Sequence, residues 1–182
     1  MSVVLHVCCG PCASACVPRL KAAGHEVVLL FANSNIDTRE EFEKRKGEAR
    51  RLAETDGVAF AALPYEHEDW LEKVAAGYEL EPEKGRRCER CFRYNLEKAA
   101  AFAAARGCDL FTTSLTVSPH KVSTVIFSVA REVETQANGP RFLPEDFKKR
   151  EGFKISVKRA SELGLYRQSY CGCEFSRRGM GK

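Results

Sequence analysis

Short apolar runs alternate along the chain with longer segments in which apolar residues recur every three or four positions. The short runs are typical of buried strands, and the longer pattern is typical of amphipathic helices. The predicted strands are residues 3–7, 26–32, 58–63 and 108–115, and the predicted helices are residues 13–23, a long helix capped by Thr38, and residues 68–76, 91–106, 118–136 and 157–163. This alternation predicts an α/β fold with a parallel sheet.

Polar and sulfur-bearing side chains follow three of the four predicted strands. Cys8 and Cys9 come directly after the first strand, residues 33–35 follow the second, and residues 112–116 lie at the end of the fourth. Ligands bind at the carboxyl ends of the strands in open α/β sheets. We therefore expect the functional site at this edge of the sheet.

Charge is distributed unevenly along the chain. The 182 residues carry a net charge of +4, but residues 148–182 hold ten Lys or Arg against three Glu, which leaves the first 147 residues at −3. A second basic cluster flanks two cysteines and consists of Lys84, Arg86, Arg87, Arg90 and Arg93. Basic clusters beside a reactive site suggest a polyanion such as nucleic acid, although a solvated charged surface is an equally good explanation. We predict one α/β domain over residues 1–182, in which residues 138–182 form an irregular basic extension.

Composition and the N-terminus indicate a globular protein of the cytoplasm. Hydrophobic residues make up 44% of the chain, and no apolar run approaches the roughly 18 residues that span a bilayer. Residues 1–6 lack the basic start and the cleavage site of a signal peptide. Because the cytosol keeps thiols reduced, nine cysteines, an odd number, do not indicate a disulfide framework. Metal ligation, redox catalysis and simple burial remain as explanations.

The first cysteine cluster, Cys8, Cys9 and Cys12, lies in a turn between the first strand and the first helix. Adjacent side chains point to opposite faces of a regular strand, but in a turn formed by Gly10 and Pro11 they can converge on one metal. A helix that begins near Cys12 would also favour the thiolate form. A turn that is rich in cysteine by chance is the alternative interpretation.

Two further clusters lie far along the chain. Cys88 and Cys91 form a C-x-x-C pair, which places two sulfurs on one side of a turn or helix start, within reach of one zinc or one iron–sulfur cluster. Cys171 and Cys173 form a C-x-C pair, in which a disulfide would be strained and easily reduced. We interpret this last pair as redox-active, with metal ligation as the alternative.

Spacing separates candidate ligands from bystanders. The four candidate ligands are Cys8, Cys9, Cys88 and Cys91. Four thiolates suit either a structural zinc or a [4Fe–4S] cluster, but the further thiols nearby exceed what a structural zinc needs and favour redox chemistry. Cys16 inside a helix and Cys108 at the start of a strand are predicted to be small buried hydrophobic residues, and His6 a buried core histidine. His120, at a predicted helix start, is a candidate for a polar role.

Together these segments resemble the epoxyqueuosine reductases of the QueH type. The matching motifs are HVCCGPC (6–12), FANSNI (31–36), CERCFR (88–93), FTTSL (111–115), SPHK (118–121) and ELGLYRQSYCGC (162–173). They run along nearly the whole chain, and the last motif is long and unusual. The resemblance is therefore specific.

The resemblance implies a Rossmann-like α/β fold of the HUP type. It implies an oxidoreductase that reduces epoxyqueuosine to queuosine at the wobble position of tRNA, the last step of queuosine synthesis. It implies a [4Fe–4S] cluster on the residues that match the four candidate ligands, and a redox-active pair, able to form a disulfide, at Cys171 and Cys173. Cys12 stands where some members of the family carry Asp, and either residue could hold a second metal ion, iron or zinc.

tRNA is then the expected substrate, with an unidentified electron donor and no membrane partner. Tyr170 or His120 could supply a proton, the basic segments would hold tRNA phosphates, and Phe92 or Tyr166 could stack on an extruded base. Two other function classes stay open. An ATP-using tRNA-modifying enzyme on a related fold would need a Gly/Ser-rich loop where residues 9–12 lie. A zinc-stabilised nucleic-acid-binding module would have no catalytic activity.

Overall fold

A sheet of parallel strands with helices on both faces forms the framework of the protein. The computed structural model describes residues 1–137 and 139–177. Within these residues the strands are β1 (Ser2–Val7), β2 (Glu26–Phe31), β3 (Ala59–Ala62), β4 (Leu110–Thr113) and β5 (Arg141–Phe142). The α-helices are α1 (Gly10–Ala22), α2 (Arg39–Asp56), α3 (His67–Trp70), α4 (Arg86–Ala105), α5 (Ser123–Ala137), α6 (Gly152–Glu162) and α7 (Glu174–Arg177). A π-helical turn, Leu71–Ala75, follows α3, and a 3-10 turn, Ser114–Val117, follows β4.

The five strands lie in the order β3-β2-β1-β4-β5, and every neighbouring pair among the described residues is parallel. β1 is central, with Val7 opposite Phe31 of β2 and His6 opposite Thr113 of β4. The direction of the strand order reverses between β1 and β4, and ligands bind at such a switch point in open α/β sheets. The predicted Rossmann-like parallel sheet is confirmed.

Two apolar layers cover the sheet, one on each face. On one face Leu5 and Leu29 pack with α1, α2 and α6, and on the other face Val4 and Leu30 pack with α4 and α5. Successive side chains of a strand point to opposite faces, so each strand contributes to both layers. Because both faces are buried, nearly every residue of the central strands is apolar.

Three boundaries near the carboxyl ends of the strands differ from the prediction. α1 begins at Gly10 instead of after the turn, because proline is tolerated in a first helical turn, where its missing N–H needs no partner. α4 begins at Arg86, so both cysteines of the C-x-x-C pair are helical. α5 begins only at Ser123, because Ser118 Oγ accepts a hydrogen bond from the N–H of His120 in a turn that replaces the predicted first helical turn.

The interpretation of residues 138–182 as an irregular extension is not confirmed. β5 pairs with β4, with Arg141 opposite Leu110, and α6 packs against α1. A two-residue strand is too short to show a period in the sequence, which is why β5 escapes prediction. Asn138 and residues 178–182, which belong to the predicted extension, lie outside the described residues.

No helix within the described ranges has the length and apolar character that crossing a lipid bilayer requires. The cytoplasmic location stays a prediction.

Candidate functional site

One cavity, of about 530 Å³, opens where β1 and β4 end side by side. It is lined by seven cysteines, namely Cys8, Cys9, Cys12, Cys88, Cys91, Cys171 and Cys173. They come from the start of α1, the start of α4 and the loop before α7. All the predicted ligand and redox cysteines therefore surround one space at the switch point of the sheet.

Cys8, Cys9 and Cys12 form a tight triad, and their sulfurs all lie within 4.8 Å of one another. The Sγ atoms of the adjacent Cys8 and Cys9 are 3.9 Å apart. Cys9 is the N-cap residue of α1, and Cys12 lies in the first helical turn. The chain changes from strand to helix at Cys9, so the side chains of Cys8 and Cys9 do not point to opposite faces as they would in a regular strand. They converge instead, as the spacing predicted.

The three thiols of this triad compete for negative charge. Hydrogen bonds from the Cys12 and Cys8 thiols lower the pKa of Cys9 well below its ordinary value. Hydrogen bonding to Cys8 and Cys9 raises the pKa of Cys12. The hydrogen bond with Cys12 lowers the pKa of Cys8, but Cys9 and burial raise it by more, to about 11. A bound metal ion would supply the positive charge that three thiolates in one buried space need, so this donor set fits a metal.

Cys88 and Cys91 lie three residues apart at the start of α4, on one side of the helix. The backbone N–H of Lys84 donates to Cys88 Sγ at 3.3 Å, and the side-chain amide of Asn95 donates to Cys91 Sγ at 3.8 Å. Burial raises the pKa of both thiols, and negative charge on the C-x-C pair raises both further. These thiols, too, need a nearby cation to ionise.

The two cysteines of the C-x-C pair have unequal surroundings. Cys171 is exposed, whereas Cys173 is partly buried and packs against the apolar cluster around Trp70. Burial raises the pKa of Cys173. Gly172 between them has φ +137°, a conformation that favours glycine. All nine cysteines lie among the described residues and none of them forms a disulfide there, so the expected bridge is not seen.

The N-terminal half of α2 holds the C-x-C loop. Arg45, only 1% exposed, donates from Nη1 to the carbonyl oxygen of Cys171 at 2.9 Å and from Nε to Glu41 at 2.7 Å. The backbone N–H of Asp37 donates to the carbonyl oxygen of Gly172 at 2.9 Å. Nothing in the local sequence distinguishes Arg45, because a buried arginine in a charged helix has the same sequence context as its exposed neighbours.

Lys121 brings a positive charge to the cysteines. Its Nζ lies 3.2 Å from Cys171 Sγ and 5.3 Å from the centre of the Phe92 ring. Burial lowers the pKa of Lys121, but the negative charge on Cys171 and the hydrogen bond to it raise the pKa by more. The neighbouring His120, which was the predicted candidate for a polar role, is exposed at the cavity. The signal that could have found Lys121 is its place in the SPHK motif after β4.

The predicted bystanders lie away from the cavity lining. His6 is fully buried, with Nδ1 2.9 Å from Thr113 Oγ1, which confirms a hydrogen-bonded core histidine. Cys16 is buried inside α1, as predicted. Cys108 is only half-buried, and it precedes β4 instead of opening it, because that strand begins at Leu110.

The aromatic candidates are engaged within the protein. The Tyr170 hydroxyl donates to Asp37 Oδ1 at 2.9 Å and accepts from Arg177 Nη2 at 2.7 Å. Phe92 belongs to the core beneath α4, although it also lines the cavity. The hydroxyl of Tyr166 lies 3.3 Å from the carboxylate oxygens of Glu41 on α2. Neither tyrosine hydroxyl is therefore free for a substrate.

Most of the basic cluster around Cys88 and Cys91 is bound within the protein. Arg87 and Arg90 donate to backbone carbonyl groups. Arg86 and Arg93 form ion pairs with glutamates. Lys84 has no side-chain hydrogen bond or ion pair among the described residues, and it lines the cavity. Arg167 also lines the cavity and stacks on the ring of Phe153 at 5.2 Å.

Two solved structures share the fold at low sequence identity. A predicted subunit of tRNA methyltransferase from Methanocaldococcus jannaschii is 16% identical with a TM-score of 0.60, over 89% of this chain and 75% of the other. The U34-tRNA thiolase NcsA from Methanococcus maripaludis, solved with its [4Fe–4S] cluster, is 12% identical with a TM-score of 0.61, over 97% of this chain and 61% of the other. At these identities the similarity shows the HUP-type fold alone.

Sequence relatives are closer. The sequence model of the family described as Epoxyqueuosine reductase QueH matches residues 3–179. The Epoxyqueuosine reductase QueH of Streptococcus pyogenes is 37% identical over 186 residues, which cover 99% of this chain and 72% of the relative. That of Thermotoga maritima is 33% identical over 178 residues, which cover 96% of this chain and 90% of the relative. This chain therefore belongs to the QueH family of epoxyqueuosine reductases.

Proposed function

We propose that this protein reduces epoxyqueuosine to queuosine in tRNA, the activity for which its relatives are named. The observation that carries the proposal is the convergence of seven cysteines on one cavity at the ends of β1 and β4. The cavity volume of about 530 Å³ falls within the roughly 300–1,000 Å³ of small-molecule sites. One modified base is a ligand of suitable size.

The reaction sets what this cavity has to deliver. Removal of the epoxide oxygen as water leaves an alkene and consumes two electrons and two protons. Cys171 and Cys173 supply the electron pair when they become a disulfide, because the S–S bond forms as the two C–O bonds of the epoxide break. An external electron donor then reduces the disulfide, and the exposed Cys171 is the sulfur that it can reach.

The remaining cysteines suit a [4Fe–4S] cluster, which we assign to Cys8, Cys9, Cys88 and Cys91. The donor set consists of sulfur alone, and burial together with mutual repulsion keeps most of these thiols neutral until a cation is present. When bound, such a cluster supplies single electrons. Cys12, within 4.8 Å of the Cys8 and Cys9 sulfurs, could hold a second ion, iron or zinc, next to the cluster.

The chain's own residues orient the reaction. Arg45 and the Asp37 backbone N–H donate to the carbonyl groups of Cys171 and Gly172, in a loop whose two cysteines both line the cavity. Lys84 and Arg167 line the cavity, and neither forms an ion pair with an acidic side chain in the described part of the chain. Such cations suit the phosphates on either side of a base that leaves its stack in the anticodon loop.

The experiment is to purify the protein without oxygen and to measure iron, acid-labile sulfide and zinc. The protein is then given tRNA that carries epoxyqueuosine together with a chemical reductant, and the nucleosides are analysed by mass spectrometry. We expect sulfide together with iron, in an equal amount or with one further iron where the ion at Cys12 is iron, and conversion to queuosine. Zinc without iron, together with unchanged epoxyqueuosine, would refute the proposal.

Variants of the C-x-C pair separate the dithiol step of the proposal from the cluster. Cys171→Ser and Cys173→Ser should keep the iron and sulfide but lose turnover. Cys108→Ser is the matched control, because Cys108 is half-buried but does not line the cavity, and it should behave like the wild type. Full turnover in both variants of the C-x-C pair would leave the cluster in place and remove the dithiol step.

A further inference from the structure

Lys121 is a partly buried ammonium group whose nearest polar partner is a sulfur. Its Nζ lies 3.2 Å from Cys171 Sγ, with the Phe92 ring at 5.3 Å. In the described parts of the chain it forms no ion pair with a carboxylate. A cation that is withdrawn from water needs an anion nearby, because burial of an unpaired charge is costly. Cys171 Sγ is the sulfur at hydrogen-bond distance from this ammonium group, and negative charge on Cys8 and Cys91 acts on it from farther away.

Within the described residues, the partner cysteine has no cation at hydrogen-bond distance, although the more distant Arg87 charge partly opposes the effect of burial on its pKa. Cys173 packs with Trp70, and burial raises the pKa of its thiol. Cys171 has an ammonium group at hydrogen-bond distance, and Arg45 binds its carbonyl oxygen. The two sulfurs of the C-x-C pair are thus electrostatically unequal.

We propose that Lys121 is a positioning residue that pairs with the thiolate of Cys171 and thereby favours the reduced form of the Cys171–Cys173 pair. This inference rests on the proposed function of that pair. The disulfide takes up two electrons and one proton to give Cys171 as thiolate and Cys173 as thiol. In the forward reaction the pair returns two electrons and one proton to the epoxide, and solvent water supplies the second proton.

The direction of the effect follows from charge. The disulfide is neutral, so Lys121 interacts weakly with it, whereas the reduced pair carries one negative charge beside the ammonium group. A stabilised reduced form makes a disulfide more oxidising, as in strongly oxidising thiol enzymes. Loss of the Lys121 charge should therefore lower the equilibrium constant for reduction of the pair.

The experiment measures this constant in the anaerobically purified, metal-containing protein. Wild type, Lys121→Met, Lys121→Gln and Lys121→Arg are equilibrated with defined ratios of reduced and oxidised glutathione, quenched in acid and alkylated. Mass spectrometry of the peptide of residues 168–177 then gives the disulfide fraction. We expect about a tenfold fall in the constant, ~30 mV, for Met and Gln, and a much smaller change for Arg. Lys149→Met is the control, because Lys149 is an exposed lysine in the segment between β5 and α6 that does not line the cavity.

A second readout is the rate at which iodoacetamide labels each cysteine of the reduced pair. Labelling of Cys171 should slow in the Met and Gln variants, while labelling of Cys173 stays unchanged, which a general loss of structure would not produce. If Lys121→Met and Lys121→Gln both have the wild-type equilibrium constant for disulfide reduction and the wild-type labelling rate at Cys171, the proposed role of Lys121 is overturned. Absence of a Cys171–Cys173 disulfide in wild type at every glutathione ratio would instead refute the dithiol step of the proposed function.

Discussion

Arg45→Met tests whether a buried ion pair on α2 supports the redox loop. The Arg45 guanidinium donates to three groups, namely the Glu41 carboxylate at 2.7 Å and the carbonyl oxygens of Cys171 at 2.9 Å and Tyr170 at 3.5 Å. The side chains of Arg45 and Glu41 are 1% and 11% exposed. The substitution keeps much of the side-chain volume but leaves the carboxylate and two carbonyl groups without their donor.

The cost can be worked from these contacts. Removal of one partner from a buried ion pair costs roughly 3–5 kcal/mol, because the other charge stays buried. The hydroxyl of Tyr166 lies 3.3 Å from both Glu41 oxygens and still donates to that carboxylate. We therefore expect the lower end of the range, a loss of about 3 kcal/mol in the free energy of unfolding.

The assay is urea unfolding of the anaerobic, metal-containing protein, followed by far-UV circular dichroism. The matched control is Arg50→Met on the same helix, an exposed arginine whose one side-chain contact among the described residues is with the Phe60 ring at 5.4 Å and which should contribute less than about 1 kcal/mol. The double variant Glu41→Gln/Arg45→Met removes the unpaired charge, so it should recover at least ~1 kcal/mol of stability. Its turnover should stay low, because the carbonyl group of Cys171 still lacks its donor.

Equal unfolding midpoints for Arg45→Met and Arg50→Met would refute this reasoning. So would a double variant that recovers full turnover, since the loop would then need no guanidinium.

Three further predictions concern metal content, backbone conformation and tRNA binding. In elemental analysis, Cys12→Ser should keep the four irons and the labile sulfide of the cluster and lose any additional metal. Loss of the whole cluster in this variant would instead make Cys12 a cluster ligand. Gly172→Ala adds a Cβ to a residue with φ +137° and places it 3.2 Å from Arg45 Nη1. The variant should lose about 1–3 kcal/mol in the free energy of urea unfolding and turn over more slowly. An unchanged unfolding midpoint would contradict the left-handed conformation of Gly172. Lys84→Ala and Arg167→Ala should each raise the KM for tRNA without changing kcat and reduce the salt dependence of binding by about one unit of log–log slope. The control is Lys158→Ala, which removes an exposed ion pair with a glutamate on α6 and should leave the salt-dependence slope unchanged. Equal slopes in all three variants would argue against phosphate contacts at the cavity.

Local patterns predicted much of the fold. β1 and β2 are continuous apolar runs because a central parallel strand is covered on both faces. Thr38 was predicted as a helix cap, and its Oγ1 accepts from the N–H of Glu41 at 3.2 Å. Both features depend on residues that are close in the chain. Two other features could not be predicted from local pattern. β5 forms only through its pairing with β4. At Ser118 a turn and a first helical turn are both compatible with the local sequence, and the turn forms.

The cysteine spacing by itself determined which sulfurs lie near each other within one element. The triad around Cys9 and the helical pair at Cys88 and Cys91 are such local arrangements. Only the tertiary structure decided that these clusters and the C-x-C loop line one cavity, that Arg45 and Lys121 belong to it, and that most nearby arginines are used internally. The physical reason is that spacing along the chain fixes contacts within a helix or turn, whereas proximity between distant elements depends on the order of the strands. Here that order reverses between β1 and β4, and the reversal creates the crevice in which the cysteines meet.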